Sequence, residues 1–112
     1  MRLPSFDVDH YTLDDGEEIH KENTDTFLIP SAHDRENLKK GDIVKLIFRM
    51  EQRDVEELSI ERMWVIVTDV KRGGYVGKID NDPVGEVFLK ADDSVEFESK
   101  HVIQIYQEEG GV

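Results

Sequence analysis

The amino-acid sequence predicts a mainly β fold of the α+β kind: a small antiparallel curled sheet or partly open barrel with one short helix. Three observations carry this expectation. Apolar residues recur at alternate positions in short runs (Val44, Leu46, Phe48; Val65, Val67; Val95, Phe97), the period of a strand buried on one face. Turn-forming residues separate the runs at Lys71-Arg72-Gly73-Gly74, at Asp80-Asn81-Asp82-Pro83 and at Asp92-Asp93. No helical pattern long enough to cross between parallel strands lies among them, so neighbouring strands are expected to be antiparallel.

The elements follow in chain order. Residues 1–26 are polar and acidic, with Phe6, Tyr11, Leu13 and Ile19 as scattered apolar sites, and read as a loosely ordered arm. One strand is expected near Tyr11 and a turn at Asp14-Asp15-Gly16. Residues 27–107 form the β-rich core domain, and 108–112 a disordered tail. Ser31 as N-cap, acids early, Lys39 and Lys40 late and Gly41 as a stop predict a helix over 31–40. Asp42–Met50 is a strand with Val44, Leu46 and Phe48 inward. Glu51–Glu61 is a charged surface loop or frayed turn in which Val55, Leu58 and Ile60 serve as anchors.

Met63–Val70 is apolar on both faces and β-branched, as a central strand requires. With the glycines at 73 and 74 and the strand Tyr75–Ile79, it makes a hairpin over 63–80. Val87–Leu89 is a short apolar piece, Ser94–Glu98 a strand, and Val102–Tyr106 a last strand. The expected core is Val44, Leu46, Phe48, Val65, Val67, Ile79, Val95, Phe97 and Ile103.

Composition removes several classes of function. The 112 residues make one domain by size. Cysteine is absent, so thiol nucleophiles and disulfides are too, which fits a reducing, cytoplasmic compartment. Met1–His10 has no apolar signal core, and the longest apolar run, Met63–Val67, is far too short to span a bilayer. A net charge of −12 and a pI near 4.6 repel phosphate backbones, so neither nucleic acid nor membrane is the expected partner.

Motifs are sparse. The stretch Tyr75–Glu86 (YVGKIDNDPVGE) offers Asp80 and Asp82 at the first and third positions of a calcium loop, but Val84 and Ala91 stand where oxygen ligands belong. No phosphate-binding glycine motif is present, and no serine sits in a nucleophile elbow. The loop therefore reads as turn chemistry: Asp80 and Asn81 satisfy their own backbone and Pro83 ends strand pairing. His10, His20, His33 and His101 lack metal-ligand spacing and are expected on the solvated surface. No cofactor is implied.

Trp64 on a central strand is expected in the core. The alternative places Trp64, Tyr75, Asn81, Asp82 and Pro83 on one rim as an aromatic groove for a peptide, although cross-strand pairing alone would account for Trp64 and Tyr75.

LKKGDIVKLIF (38–48), ERMWVIV (61–67), YVGKIDNDPV (75–84) and LKADDSVEF with HVIQI (89–105) resemble an uncharacterised bacterial family, a YegJ-like domain of unknown function. Its signature is Glu-x-Met-Trp-Val, then Gly-x-Leu/Ile-x-Asn-x-Pro, then a Gly-Asp-x-Val strand. Ala91-Asp92-Asp93 stands in place of the Gly-Asp. The resemblance implies a shared fold and no activity. The strand order is also similar, by analogy, to an SH3-like partly open barrel.

Two functions follow. The first is a non-enzymatic, monomeric interaction module whose acidic surface selects a basic protein partner, in a specific version an immunity or inhibitor protein. The second is a metal-binding protein or enzyme built from carboxylates and histidines that only the fold brings together.

Overall fold

The structure, a computed structural model, describes residues 1–107; the tail expected at 108–112 lies outside them. The chain forms α1 (Phe6–Asp9), β1 (Tyr11–Leu13), α2 (Gly16–Glu22), α3 (Ala32–Glu36), β2 (Ile43–Met50), β3 (Ser59–Lys71), β4 (Gly74–Ile79), β5 (Ser94–Phe97), a 3-10 turn (Ser99–His101) and β6 (Gln104–Ile105). All pairings are antiparallel, in the order β1-β2-β3-β4-β5, and β6 pairs with β2 beside Val44 and Lys45. The long β3 carries the sheet around as an open half-barrel.

Alternation sets the core. Val44, Leu46, Phe48 and Met50 of β2 and Met63, Val65 and Val67 of β3 face inward, meeting Ile79, Val95 and Phe97. Each such side chain taken out of water contributes roughly 1.5–3 kcal/mol. All nine residues expected in the core are buried. Gly77 lies where an added Cβ would run into the Val65 Cγ1 and sit 2.8 Å from the Ile66 carbonyl, so β3 and β4 close on a residue with no side chain. Gly73, at φ +83°, makes the tight turn of the β3–β4 hairpin.

Several elements differ from the sequence reading, each for a local reason. α3 stops at Glu36 because Tyr75 takes over the next backbone groups: its hydroxyl donates to the Arg35 carbonyl (2.9 Å) and accepts from Leu38 N (3.3 Å). Ser31 does cap it, accepting from Asp34 N at 3.1 Å. β3 begins at Ser59, inside the segment expected to be loop, because Ser59–Arg62 pairs with Ile47–Met50. Val55, Leu58 and Ile60 are not anchors; they stand 54, 41 and 53% exposed. The last strand shrinks to Gln104–Ile105, since Val102 and Ile103 turn into the core after the 3-10 turn.

The acidic first 26 residues carry α1, β1 and α2 in place of a bare arm with one strand. Tyr11 is buried against Phe48 (ring centroids 5.7 Å apart), and Asp15, expected in a turn, caps α2 by accepting from Glu18 N at 3.1 Å.

Candidate functional site

At one end of the half-barrel two polar side chains, Asn81 and Glu61, take over where strand pairing runs out. β4 ends at Ile79, and Asp80 N still donates to the Trp64 carbonyl at 2.8 Å. One residue on, the Asn81 side-chain oxygen accepts from Trp64 N, so an amide stands in for the next backbone carbonyl. The Asn81 oxygen thus reaches across to β3 and leaves its own backbone, contrary to the local turn expected. Pro83 follows and has no N–H to continue the ladder.

Glu61 then sets the loop's shape. Its carboxylate accepts from Val84 N at 2.8 Å, Gly85 N at 3.1 Å and the Ser59 hydroxyl at 3.0 Å. Charge-assisted bonds of this kind fix a loop better than neutral ones. Their effect is to hold Val84 92% exposed. The loop is tied to the neighbouring one by an antiparallel bridge between Gln52 and Val87 and by Arg53 N donating to the Glu86 carbonyl at 2.9 Å.

The resulting surface is acidic and apolar together. Asp54, Glu56, Glu57, Asp80, Asp82 and Glu86 are exposed, and among the described residues none of them forms an ion pair. Val55, Leu58, Val84 and Phe88 stand among them, Phe88 at 42% exposed. Arg53, the one base of residues 51–61 and 80–88, has its guanidinium over the Phe88 ring at 5.3 Å. His10 stacks on the same ring at 4.2 Å.

Of the residues picked out as a rim, Trp64 and Asn81 are joined through the Trp64 N–H, whereas Tyr75 lies apart from both. Trp64 is half-buried on the outer face of the sheet, between Lys45 Nζ at 4.4 Å and the edge of Tyr106 at 5.9 Å. Tyr75 is buried at the far end of the hairpin, opposite Val70, against Phe97 at 5.4 Å. It forms no cross-strand pair with Trp64. Asn81 and Pro83 are half-buried and Asp82 is exposed, in the end loops. Glu61 and Val84 escaped the sequence reading. The available signal was an apolar residue between Pro83 and Gly85 in an otherwise polar turn.

His101 is a correction: it is buried, and its Nδ1 accepts from Glu98 N at 2.9 Å. His20 bonds the Phe27 carbonyl through Nδ1, while His10 and His33 are exposed. Among the described residues no three His, Asp or Glu side chains gather as a metal site. No helix of the described residues is long and apolar enough to cross a membrane.

The fold and its end define an acidic antiparallel half-barrel presenting an acid-rimmed apolar surface. No family model matches the chain, nor does any curated protein or solved structure.

Proposed function

We propose that the protein is a non-enzymatic interaction module whose acidic end, formed by residues 51–61 and 80–88, docks on a basic surface of a protein partner. The observation that carries this reading is Val84, held outward by the Glu61 carboxylate amid six unpaired acids. An exposed apolar residue fixed by charge-assisted bonds, on a surface where six acids face the single base Arg53, has the composition of an interface centre with a polar rim. Carboxylates that lack partners within the chain steer a basic surface toward it and lose this effect in salt. An immunity or inhibitor protein that covers a basic active site is the specific version.

The test is affinity capture from the source cell's lysate with wild-type protein and with a Glu56→Gln/Glu57→Gln/Asp82→Asn/Val84→Ser variant as bait. A basic protein held by wild type at low salt, released at high salt and lost by the variant supports the reading. Equal capture by both baits, with both folded, overturns it.

A further inference from the structure

The open barrel leaves unpaired strand edges. β1 and β6 each pair only with β2, and β5 only with β4. Such edges carry unpaired N–H and C=O groups that accept another strand unless something covers them.

Met1–Pro4 lies at the edges of β1 and β5. Leu3 and Pro4 line a cleft of about 280 Å³ with Thr12 and Leu13 of β1, and Arg2 and Pro4 line a second of about 280 Å³ with Ser94 and Glu96 of β5. The segment is not a strand, and among the described residues no backbone-to-backbone bond joins it to β1 or β5. It is held through side chains. Arg2 N donates to the Glu96 carboxylate at 2.7 Å, and the Arg2 guanidinium lies 3.1 Å from Asp9 with 62% of its side chain exposed. The Met1 side chain lies over Gly74, where an added Cβ would meet its Cε. Pro4 has no N–H to offer a ladder.

We propose that the gap between β1 and β5 is a strand-docking slot, covered here by the chain's own Met1–Pro4 and open to an extended basic segment of a partner protein. Addition of a strand satisfies the edge groups that the present cover leaves alone. The chemistry of the occupant is set by what the cover already does: a cation sits beside Asp9 while a backbone N–H meets Glu96. A segment with Lys or Arg at alternate positions repeats the first contact and adds the ladder. The slot is a different surface from the acidic end and stands on a different observation.

The test uses the full chain and a fluorescent synthetic peptide of alternating Lys and Val, followed by anisotropy and by amide exchange. The peptide is expected to bind in a salt-dependent way and to protect those amides of Ser94–Phe97 that point away from β4. Arg2→Glu repels the cover from Asp9 and Glu96, and tightens binding about threefold; Glu96→Lys weakens it about tenfold. Arg2 is exposed and Glu96 half-buried, and thermal melting should confirm folding in each. The Glu56→Gln/Glu57→Gln/Asp82→Asn/Val84→Ser variant, altered only at the acidic end, keeps the peptide affinity, which separates this slot from that surface. Absence of β5 protection at saturating peptide, or affinity unmoved by both Arg2→Glu and Glu96→Lys, overturns the proposal. Dimerisation of Arg2→Glu without peptide binding also overturns it, giving the slot to a second copy of the chain.

Discussion

A single carboxylate determines what one end of this molecule presents. Glu61 accepts two consecutive amides of a loop more than twenty residues away in sequence, at separations of 23 and 24 positions. In Glu61→Gln the side chain keeps one acceptor and loses its charge, so one of the two amides is released. The expected loss is about 1–2 kcal/mol, with faster exchange at Val84 and Gly85 than in wild type. Unchanged exchange at both amides would show that the loop holds its shape without this carboxylate. Gly77 is the opposite kind of residue, important for what it lacks. Gly77→Ala drives a methyl into Val65 and the β3 backbone, and should cost at least about 2 kcal/mol in urea denaturation. Alternation along β2, β3 and β5 made the core legible in the sequence, because each strand is long enough to show its period. The strand at Tyr11 was legible but the burial of its ring was not: β1 is three residues long, set in an acidic segment, and the ring is covered only once β1 pairs with the distant β2.

At the scale of elements, the short 3-10 turn is where the helical layer is fastened to the sheet. Arg35, buried in α3, donates to the Pro30 carbonyl at 2.8 Å, to the Ser99 carbonyl at 3.0 Å and to the Glu17 carboxylate of α2 at 2.6 Å. Glu98 and His101 close the same turn with a reciprocal cap, the imidazole Nδ1 accepting from Glu98 N. Burial, reinforced by Lys100, holds the His101 pKa below the ordinary imidazole value of 6.5, against the smaller opposing pull of Glu98, Asp15 and Asp14. The folded state therefore binds this proton less readily than the unfolded one. Its contribution is whole above pH 6.5 and is lost as the pH falls below that value, until the folded group protonates too. Protonation also places a donor against the Glu98 N–H and breaks the cap. Urea denaturation at pH 7.5 and pH 5.5 should show wild type losing stability, with a shallower loss in His101→Gln; equal slopes would remove His101 as the cause. None of this was visible in the sequence, where an isolated histidine between Lys100 and Val102 has no periodic context. The acceptor role arises only once the turn has formed.

The whole molecule carries 26 acids against 14 Lys and Arg, and the fold does not neutralise the excess by pairing. Many of the ion pairs that do form are at the surface, where each is worth at most about 1 kcal/mol. Self-repulsion among the remaining carboxylates opposes the compact state, and salt screens it over a Debye length of about 10 Å at 0.1 M. Thermal stability should accordingly rise between roughly 0.01 and 0.3 M NaCl, the range over which that length shrinks below the spacing of surface charges. Neutralising Glu56, Glu57 and Asp82 together removes three charges from one end without touching a hydrogen bond of the fold. The triple Glu56→Gln/Glu57→Gln/Asp82→Asn variant should therefore melt higher than wild type at low salt, and the difference should close as salt is added. If those acids serve only solubility, the stabilised variant keeps every interaction the wild type makes. If they are the rim of a docking surface, the same three changes that raise the melting temperature abolish salt-sensitive capture of a basic partner. A variant that is both less stable at low salt and unimpaired in capture would contradict the electrostatic reading at both levels.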